Sequence, residues 1–384
     1  MQKTKKIMNN ESIRVAQVIG KLASAGVEAV VNNYYRIMDH RVFQFDYYID
    51  DDSECTPPRE MIEQGAHYYY IPSSKHPIAR IKALKKLLKK NQPQIVHSHM
   101  NSLNAITLYA AWRAGIRVRI SHNHSTSDKR EGLRANIKDF LKITGNWFAT
   151  EKMACGDKAA RWLFGDKAVD NKGVFILPNA IDIEKYRFNL DVRRRMRKEL
   201  HIEDKFVIGH VGRFMRQKNH EFLISVFEEV KKRKDDAVLL LIGDGELRQS
   251  IEDTVKHKGL TDSVVFLGNR TDVAQIYNTM DAFVLPSLYE GVPVVGIEAQ
   301  ANGLPCFFSD NISKEVRILE NVSFHPLNVS AGIWGNAIVN EPIIAIEKKL
   351  QANNRLAESV FNLSVSGQQL VNRYIYLLNR GKRN

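Results

Sequence analysis

Short apolar segments alternate with segments of helical character twice along this chain, and that pattern constrains the fold more than any other feature. Strands that alternate with helices form a parallel sheet covered by helices on both faces. The pattern therefore predicts an α/β protein with two doubly wound, Rossmann-like sheets. The predicted strands are 13–19, 42–48, 68–71, 94–97, 117–121, 152–154, 174–177, 206–211, 238–242, 264–267, 282–285 and 306–308, and the predicted helices are 28–38, 78–90, 102–114, 135–148, 158–164, 220–233, 247–258, a short one from 272, and 370–378.

The length of 384 residues suits two domains of ordinary size. We expect one domain over 1–185, a second over 186–363, and a closing helix in 364–384 that crosses back to the first domain. The stretch 179–182 and the charged run 193–198 are predicted to connect the two domains. If the two sheets face each other, a cleft lies between their C-terminal edges, where α/β proteins bind ligands.

Composition excludes several classes of protein. No window approaches about 18 uninterrupted apolar residues, so no transmembrane helix is expected. The basic N-terminus is interrupted by polar residues at 9–11 and 14, so a signal peptide is not predicted. The three cysteines, at 55, 155 and 306, are widely separated, which argues against a metal knuckle or a disulfide framework and favours the cytoplasm.

The net charge of +13 belongs to the first half of the chain. Residues 1–200 contain 35 Lys and Arg against 21 Asp and Glu, whereas residues 201–384 contain 21 against 22. Such an asymmetry indicates that the first domain faces an anionic partner. A nucleic acid, an anionic membrane surface and a phosphate-bearing substrate all remain possible at this point.

Two carboxylates bracket a strand–turn–helix unit in the second half. Glu290 lies in the turn, and Glu298 lies in a helix predicted to begin near Val292, with Pro293 in its first turn. N–H groups at the start of that helix, exposed by Gly291, can bind a diphosphate. The helical carboxylate can then accept hydrogen bonds from ribose, and the loop carboxylate from a sugar. The spacing alone fits equally an ordinary unit with two surface glutamates.

Three earlier turns lie at the same edge of the predicted second sheet. Gly212 follows one strand, and the nearby Arg213 and Lys218 can clamp the two phosphates of a nucleotide. The alternative is a solvated basic loop. No Walker motif and no G-x-G-x-x-G motif is present, which argues against an ATPase or a dehydrogenase. Glycines follow the next two strands at Gly243, Gly245 and Gly268.

This ordered set of motifs resembles the donor half of glycosyltransferase family 4. Members of that family are retaining enzymes with the GT-B fold, and the strongest likeness is to exopolysaccharide and capsule glycosyltransferases. The likeness extends over the first half through Gly26-Val27-Glu28 and the segments 95–99, 119–124 and 177–182. The family loop usually reads Gly-Gly-Ala-Glu, whereas Ala25 and Val27 replace its first glycine and its alanine here. Asn179-Ala180 also lacks the usual glycine.

The resemblance implies a role for each matching residue. Arg213 and Lys218 would bind the diphosphate, Glu298 the ribose, and Glu290 the donor sugar. His122 would touch the transferred sugar near the reacting centre. The backbone near the sugar and the phosphate would be that of Gly291, Val292, Pro293 and Val294. Four further glycines would lie on the donor side: Gly212, Gly243, Gly245 and Gly268. The acceptor side would comprise Gly26, Glu28, His97 and His99.

The implied reaction is front-face displacement with retention. The leaving phosphate accepts the proton of the acceptor, while Arg213 and Lys218 stabilise the phosphate charge. No cofactor and no metal is expected, since the acidic run 50–52 follows a strand of the first domain and is interpreted as a solvated loop. The carboxylate pair of a glycosidase does not apply either, because Glu298 is assigned to the nucleotide.

A basic helix offers an explanation for the charge of the first domain. Ile78, Ile81, Leu84 and Leu88 form an apolar stripe in segment 76–90, with Arg80 and five lysines elsewhere on the helix. Such a helix can pack on its sheet and still draw the domain to an anionic membrane that carries a lipid-linked acceptor. Nucleic-acid binding is not predicted, because interleaved aromatics and binding motifs are lacking.

The predicted protein is thus a cytoplasmic glycosyltransferase, peripherally associated with the inner face of the membrane. Its donor is a nucleotide diphosphate sugar, expected to be UDP-linked, and its acceptor is a lipid-linked glycan. Two alternatives remain open. One is a UDP-sugar epimerase of the same fold, and the other is a non-catalytic sugar-nucleotide-binding subunit of a synthesis complex.

Overall fold

A computed structural model describes residues 12–22, 26–53, 55–124, 147–342 and 344–380. The chain forms two compact units. One contains the described residues up to Ala180 together with Leu363–Arg380, and the other is Ile181–Asn362. The last helix is therefore part of the first unit, as predicted. The unit boundary at 180 lies five residues before the predicted one at 185.

Each unit alternates strands and helices. The first contains β1 (Ile13–Gly20), α1 (Val27–Arg36), β2 (Phe43–Asp50), α2 (Arg59–Glu63), β3 (His67–Ile71), α3 (Pro77–Asn91), β4 (Ile95–Ser98), α4 (Asn104–Arg113), β5 (Val118–Asn123), β6 (Glu151–Ala154), α5 (Asp157–Phe164), α6 (Asp166–Asp170) and β7 (Phe175–Ile176). The second contains α7 (Leu190–Glu199), β8 (Phe206–Val211), α8 (His220–Lys231), β9 (Ala237–Ile242), α9 (Arg248–His257), β10 (Val264–Gly268), α10 (Val273–Tyr277), β11 (Ala282–Leu285), α11 (Val294–Ala301), β12 (Cys306–Ser309), β13 (Val322–His325), α12 (Ala331–Asn340) and α13 (Ile346–Ala357), and α14 (Leu363–Arg380) returns to the first.

Both sheets are parallel throughout their recorded pairings. The first has the strand order β3-β2-β1-β4-β5-β6-β7, and the second has the order β10-β9-β8-β11-β12-β13. Both orders are doubly wound, so helices cover the two faces of each sheet. The predicted fold class is confirmed. Because all strands of a parallel sheet run the same way, the loops that follow them gather at one edge.

The apolar strand pattern follows from burial on both faces. All six residues of β9 are buried, and so are all four of β4, β11 and β12. In the first sheet, Gln17 of β1 is in register with His97 of β4, and His97 is in register with Ile120 of β5. Side chains two apart on a strand share a face, so this register gathers polar groups on one side of the first sheet.

Helix α14 packs on that first sheet. Its Tyr374 hydroxyl lies 2.7 Å from Nδ1 of His97, and its Arg373 donates to Oε1 of Glu151 over 2.8 Å. Gly367 allows a close approach to α1, since a Cβ there would lie 1.8 Å from Cδ1 of Ile37. The last helix is thereby fixed to the interior of the first unit.

One prediction about elements needs correction, several elements were not predicted, and one predicted helix falls mostly outside the described residues. The charged run 193–198 is not a simple connection but part of α7, where Arg193 and Arg197 each lie 2.6 Å from a carboxylate oxygen of Asp281. Strand β13 and helices α2, α6, α12 and α13 were not predicted. The predicted helix 135–148 lies outside the described residues except for 147 and 148.

The acidic run 50–52 and the basic helix α3 also differ from the prediction. Arg80 is buried and forms an ion pair with the buried Asp50, while it donates to the carbonyl of Pro72 over 2.9 Å. Asp50 is therefore a structural ion-pair partner and not part of a solvated loop. Ile78, in contrast, is 71% exposed and lies off the packed stripe. Among the described residues, no helix combines the length and the apolar character needed to span a bilayer.

Candidate active site

Four loops meet at the C-terminal edge of the second sheet. The amide of Gly212 after β8 donates to the carbonyl of Ile242 over 2.9 Å, and that of Gly243 after β9 donates to the carbonyl of Gly268 over 2.8 Å. The amide of Leu288, after β11, donates to the carbonyl of Gln217 over 2.8 Å. The glycine turns predicted from the sequence thus form one continuous rim of backbone.

Glycine is required at two positions of this rim. Gly243 has φ of +130°, and a Cβ there would lie 2.3 Å from the carbonyl oxygen of Gly212. A Cβ on Gly245 would lie 2.5 Å from the carbonyl oxygen of Phe214. Neither contact can be relieved by a side-chain rotation, since both involve backbone atoms. The two loops can therefore approach closely only without side chains.

Lys218 and Glu290 form an ion pair across this edge. Nζ of Lys218 lies 2.7 Å from Oε1 of Glu290, and the hydroxyl of Ser287 lies 3.3 Å from the same oxygen. The two charged side chains are only 15% and 13% exposed. The residue predicted to bind phosphate and the residue predicted to bind the sugar are thus adjacent, and their charges neutralise each other.

Arg213 lies in the same loop as Lys218 but differs from it in environment. Its side chain is exposed, and it makes no side-chain hydrogen bond or ion pair with another described residue. The adjacent Phe214 is buried and fixes the loop, since its amide donates to the carbonyl of Asp244 over 3.0 Å. Arg213 therefore offers its charge to a ligand without first breaking a protein contact.

Glu298 occupies a different environment, on the first turns of α11. Its Oε1 accepts a hydrogen bond from the hydroxyl of Tyr186 over 2.8 Å, and its Oε2 accepts one from the hydroxyl of Tyr277 over 2.9 Å. Burial raises the pKa of Glu298, while the two tyrosine hydroxyls act in the opposite direction. Each carboxylate oxygen can still accept a further hydrogen bond, because it has two lone pairs.

The start of α11 differs slightly from the prediction. The helix begins at Val294, so Val292 and Pro293 precede it, and Pro293 occupies the N-cap position. The carbonyl of Gly291 accepts from the amide of Ser313 over 3.2 Å. Helix α11 still presents its N-terminus next to the loop that carries Glu290, as anion binding at a helix start requires.

The first unit contains a second cluster of predicted residues. His97, His99 and His122 lie on one face of the first sheet, together with His124, which had not been singled out. Nε2 of His97 lies 3.0 Å from Nδ1 of His122, and Nδ1 of His99 lies 2.7 Å from Nε2 of His124. Burial lowers the pKa of all four rings, that of His124 to about 4, so the cluster is neutral at physiological pH.

Amide and hydroxyl groups complete this histidine network. Nε2 of His99 lies 2.8 Å from Oε1 of Gln17, Nδ1 of His124 lies 3.1 Å from Oδ1 of Asn179, and Nδ1 of His97 lies 2.7 Å from the Tyr374 hydroxyl. Of the eight ring nitrogens, Nε2 of His122 alone makes no hydrogen bond of normal distance and angle with a described residue, although the backbone of Leu177 lies near this ring and acts to raise its pKa. The network thus ends at the histidine predicted to bind the sugar, and this end is buried.

Nitrogen atoms of His97, His99 and His122 all lie within 4.8 Å of one another, a spacing that could hold a metal ion. Most of these nitrogens already pair with each other or with Gln17, His124 and Tyr374, so an ion would have to replace those contacts. The hydrogen bonds account for the cluster by themselves. That transfer needs no metal remains a prediction.

The remaining acceptor-side residues lie at the start of α1. Gly26 precedes the helix with φ of +70°, and Glu28 is buried in the first turn. Ala25 lies outside the described residues, and Val27 is the first helical residue. Gly26 therefore leads directly into α1.

Several residues of both clusters were missed from the sequence. They are Tyr186 and Tyr277 around Glu298, and Gln17, His124 and Tyr374 in the histidine network. His124 carried a usable signal, since it stands two residues after His122 as His99 stands after His97. The others contact their partners only through the fold. Tyr374, for example, is 277 residues away from His97.

Comparisons with known proteins agree with this architecture. The family described as Glycosyltransferase Family 4 matches residues 24–185, and that described as Glycosyl transferases group 1 matches residues 191–323. EpsF of Bacillus subtilis (strain 168), whose name assigns it to the glycosyltransferases, is 34% identical over 379 residues, which cover 96% of this chain and 97% of EpsF.

A second relative and a solved structure extend the comparison. The Escherichia coli UDP-Gal:alpha-D-GlcNAc-diphosphoundecaprenol alpha-1,3-galactosyltransferase is 26% identical over 314 residues, 78% of this chain and 80% of that enzyme. HepE of Anabaena in complex with UDP and glucose superposes with a TM-score of 0.80 at 16% identity, over 94% of this chain and 99% of HepE. The two doubly wound units have the GT-B fold, and the two family matches together with EpsF identify the chain as a glycosyltransferase. The chain belongs to glycosyltransferase family 4.

Proposed function

We propose that this glycosyltransferase transfers a sugar from a UDP-sugar to a lipid-linked saccharide, with retention of anomeric configuration, in exopolysaccharide or capsule biosynthesis. The name of the Escherichia coli relative contains both a UDP-sugar and a diphosphoundecaprenol acceptor. The name of a Staphylococcus aureus relative, CapH, which is 24% identical over 373 residues, refers to capsular polysaccharide biosynthesis. These names support the substrate classes of the proposal.

One observation carries the proposal for the donor. Glu290 and Glu298 share a sheet edge but have opposite surroundings, an ammonium group for Glu290 and two tyrosine hydroxyls for Glu298. A carboxylate held by hydroxyls suits the diol of a ribose. A carboxylate held by Lys218 suits the junction of diphosphate and sugar, where the lysine can turn to the phosphate while the carboxylate accepts from sugar hydroxyls.

The proposed chemistry follows from this arrangement. As the bond between the sugar and the diphosphate breaks, negative charge develops on the leaving phosphate, and Arg213 and Lys218 stabilise it. The leaving phosphate takes the proton of the attacking acceptor hydroxyl, so no separate general base is needed. His122 is assigned a hydrogen bond from Nε2 to a hydroxyl of the transferred sugar, so the sugar has to reach a nitrogen that is buried in this structure.

The ribose assignment predicts a loss of selectivity in Glu298→Gln. A hydrogen bond between a ribose hydroxyl and a carboxylate contributes about 1.5–3 kcal/mol, so the wild type should bind UDP roughly 10-fold to 100-fold more tightly than 2′,3′-dideoxy-UDP. The variant should bind the two nucleotides with nearly equal affinity. Titration calorimetry with both nucleotides measures this difference.

A matched control for this experiment is Glu252→Gln, at an ion pair of α9 in which Arg248 lies 2.8 Å from Glu252. It should keep the wild-type preference. Equal affinity of the wild type for both nucleotides would contradict the ribose assignment. A panel of nucleotide sugars, with and without a lipid-linked acceptor, then tests the reaction class. Conversion of the donor to an epimer without acceptor would identify an epimerase instead.

Membrane attachment through α3 is a further part of the proposal. Lys82, Lys86, Lys89 and Lys90 are exposed on this helix, whereas its Leu84 and Leu88 are buried in the unit. The helix therefore offers charge, rather than its apolar stripe, to a membrane. Each lysine near an anionic surface contributes about 1 kcal/mol.

Neutralising Lys85, Lys86, Lys89 and Lys90 to glutamine should therefore lower partitioning onto phosphatidylserine-containing vesicles by about 10²–10³-fold at low salt. Vesicle sedimentation measures the partitioning. The control changes four exposed lysines of the second unit to glutamine and should leave binding near the wild-type level: Lys198, Lys205, Lys256 and Lys348. Equal losses in both variants would show that net charge, and not α3, causes the attachment.

A further inference from the structure

We propose that Tyr374 and His97 are positioning residues, which set the tautomer of His122 and so decide whether its Nε2 donates or accepts a hydrogen bond at the sugar. This inference rests on the proposed contact of His122 with the transferred sugar. It gives the last helix, α14, a function in catalysis beyond covering the sheet.

The three side chains form one buried chain of contacts. The Tyr374 hydroxyl lies 2.7 Å from Nδ1 of His97, and Nε2 of His97 lies 3.0 Å from Nδ1 of His122. The two imidazole planes differ by only 13° and the ring centroids are 5.1 Å apart, so the two nitrogens that lie 3.0 Å apart are between the ring centres. All three residues are at most 1% exposed, so water does not compete for these atoms.

Because the imidazole rings are neutral, the direction of the hydrogen bond at one end of this chain fixes the direction of every other hydrogen bond in it. A neutral ring has one N–H donor and one bare acceptor nitrogen. If Tyr374 donates to Nδ1 of His97, then Nε2 of His97 donates to Nδ1 of His122, and Nε2 of His122 carries the N–H. If Nδ1 of His97 donates to Tyr374, each step reverses, and Nε2 of His122 becomes an acceptor.

A second set of hydrogen bonds, the amide branch, couples the direction of donation to the side-chain amides of Gln17 and Asn179. Gln17 contacts both the Tyr374 hydroxyl, at 3.3 Å, and Nε2 of His99, at 2.8 Å. His99 contacts His124 at 2.7 Å, and His124 contacts Asn179 at 3.1 Å. Both amide oxygens face the histidines in this structure, but a chain of two neutral rings has an N–H at only one of its two ends, so one of the amides has to turn its NH₂ group inward. Half-turns of both amides therefore exchange the two proton arrangements together.

This coupling makes Tyr374 the single hydrogen-bonded link, among the described residues, between His122 and the amide branch, although the ring of His122 also packs against those of His99 and His124. Without its hydroxyl, the His97 ring loses its partner at Nδ1, and the tautomer of His122 no longer depends on Gln17. Which nitrogen of a histidine carries the proton is set by the partner of the other nitrogen. Partners that orient metal-binding histidines in this way are worth about 10-fold to 100-fold in activity, and we expect a loss of similar size here.

The test compares Tyr374→Phe with Tyr376→Phe. Tyr376 lies on the same helix but is 50% exposed and packs against Arg373, so it is the matched control. In Tyr374→Phe, kcat should fall about 10-fold or more while KM for the donor changes less than threefold, and the ¹⁵N resonances of the His122 ring should move. Tyr376→Phe should match the wild type in both measurements. His97→Gln, which also breaks the link to Tyr374, should reproduce the loss if Tyr374→Phe folds poorly.

The outcomes separate this inference from the proposed function. Wild-type kcat and unchanged His122 resonances in Tyr374→Phe would overturn the inference while transfer by the wild type still stands. A wild type that transfers no sugar from any donor tested would overturn the proposed function, and the ¹⁵N measurement would still decide the coupling. A His122→Ala variant with full kcat would remove the catalytic half of the inference.

Discussion

Lys218→Ala is expected to reduce kcat/KM for sugar transfer by about 10²–10³-fold, the usual cost of losing one preorganised donor to a developing negative charge. Arg213→Ala should have an effect of similar size, because both cations are assigned to the leaving diphosphate. Arg213 is exposed and lacks a described protein partner, so its loss should not change the melting temperature. Transfer assays with a lipid-linked acceptor, together with thermal melts, measure both quantities.

The ion pair between Lys218 and Glu290 allows the catalytic and structural effects to be separated. Lys218→Ala leaves a carboxylate that is only 13% exposed without its cation, which costs about 1–3 kcal/mol of unfolding free energy. Lys218→Met combined with Glu290→Gln removes both charges and should recover most of that stability. The double variant should remain inactive, since it still lacks the ammonium group that binds the phosphate and the carboxylate that binds the sugar. Recovery of stability and activity together would assign the pair a purely structural role.

Two control substitutions match the two cations. Lys258 forms a partly buried ion pair with Glu228 at 2.5 Å, so Lys258→Ala controls for the loss of such a pair. Arg194 is an exposed arginine of α7 with a long contact of 3.7 Å to Asp191, so Arg194→Ala controls for surface charge. Both variants should keep transfer within about threefold of the wild type. Full activity of both Arg213→Ala and Lys218→Ala would contradict the assignment of these residues to the donor site.

The strand ends and the glycine turns could be predicted because their signals are local. A run such as 237–242 is buried on both faces of its sheet, and a glycine follows it where two loops meet. Parallel strands place such turns at one edge, so the approach of Lys218 to Glu290, 72 residues apart, follows from topology. The sequence therefore supplied the donor edge in outline.

Contacts that depend on tertiary packing could not be predicted in the same way. Arg80 falls on the polar side of the apparent stripe of α3, yet it is buried because Asp50 of β2 lies beneath it. Tyr186 and Tyr277 reach Glu298 from 112 and 21 residues away. No periodicity in sequence encodes such meetings. The same holds for Tyr374, whose helical pattern shows that it is packed but not that its hydroxyl meets His97.

The buried histidines predict a steep loss of stability in mild acid. His97, His99, His122 and His124 in the first unit and His210 and His220 in the second all have lowered pKa values, with burial as the largest cause, and those of His124 and His220 fall to about 4. In the unfolded chain each titrates near 6.5. Below that pH the unfolded state binds protons that the folded state excludes, so the stabilisation is complete above pH 6.5 and is lost as the pH falls towards 4.

This loss of unfolding free energy should be large enough that the first unit unfolds at a higher pH than the second. Each excluded proton lowers the unfolding free energy by about 1.4 kcal/mol per pH unit, so four histidines lower it by about 5 kcal/mol per pH unit, against a typical total of about 5–15 kcal/mol. Urea titrations between pH 7.5 and 5 measure the slope of unfolding free energy against pH in a range where most carboxylates are still ionised.

His220→Phe removes a ring that stacks on Phe214 and has no described partner for either nitrogen. It should therefore lower the slope of the second unit by about one proton, without loss of stability at pH 7.5. An unfolding free energy that stays constant from pH 7.5 to 5 would mean that the histidines are not held neutral. The proposed coupling of tautomers between His97 and His122 would then be wrong as well, because it requires neutral rings.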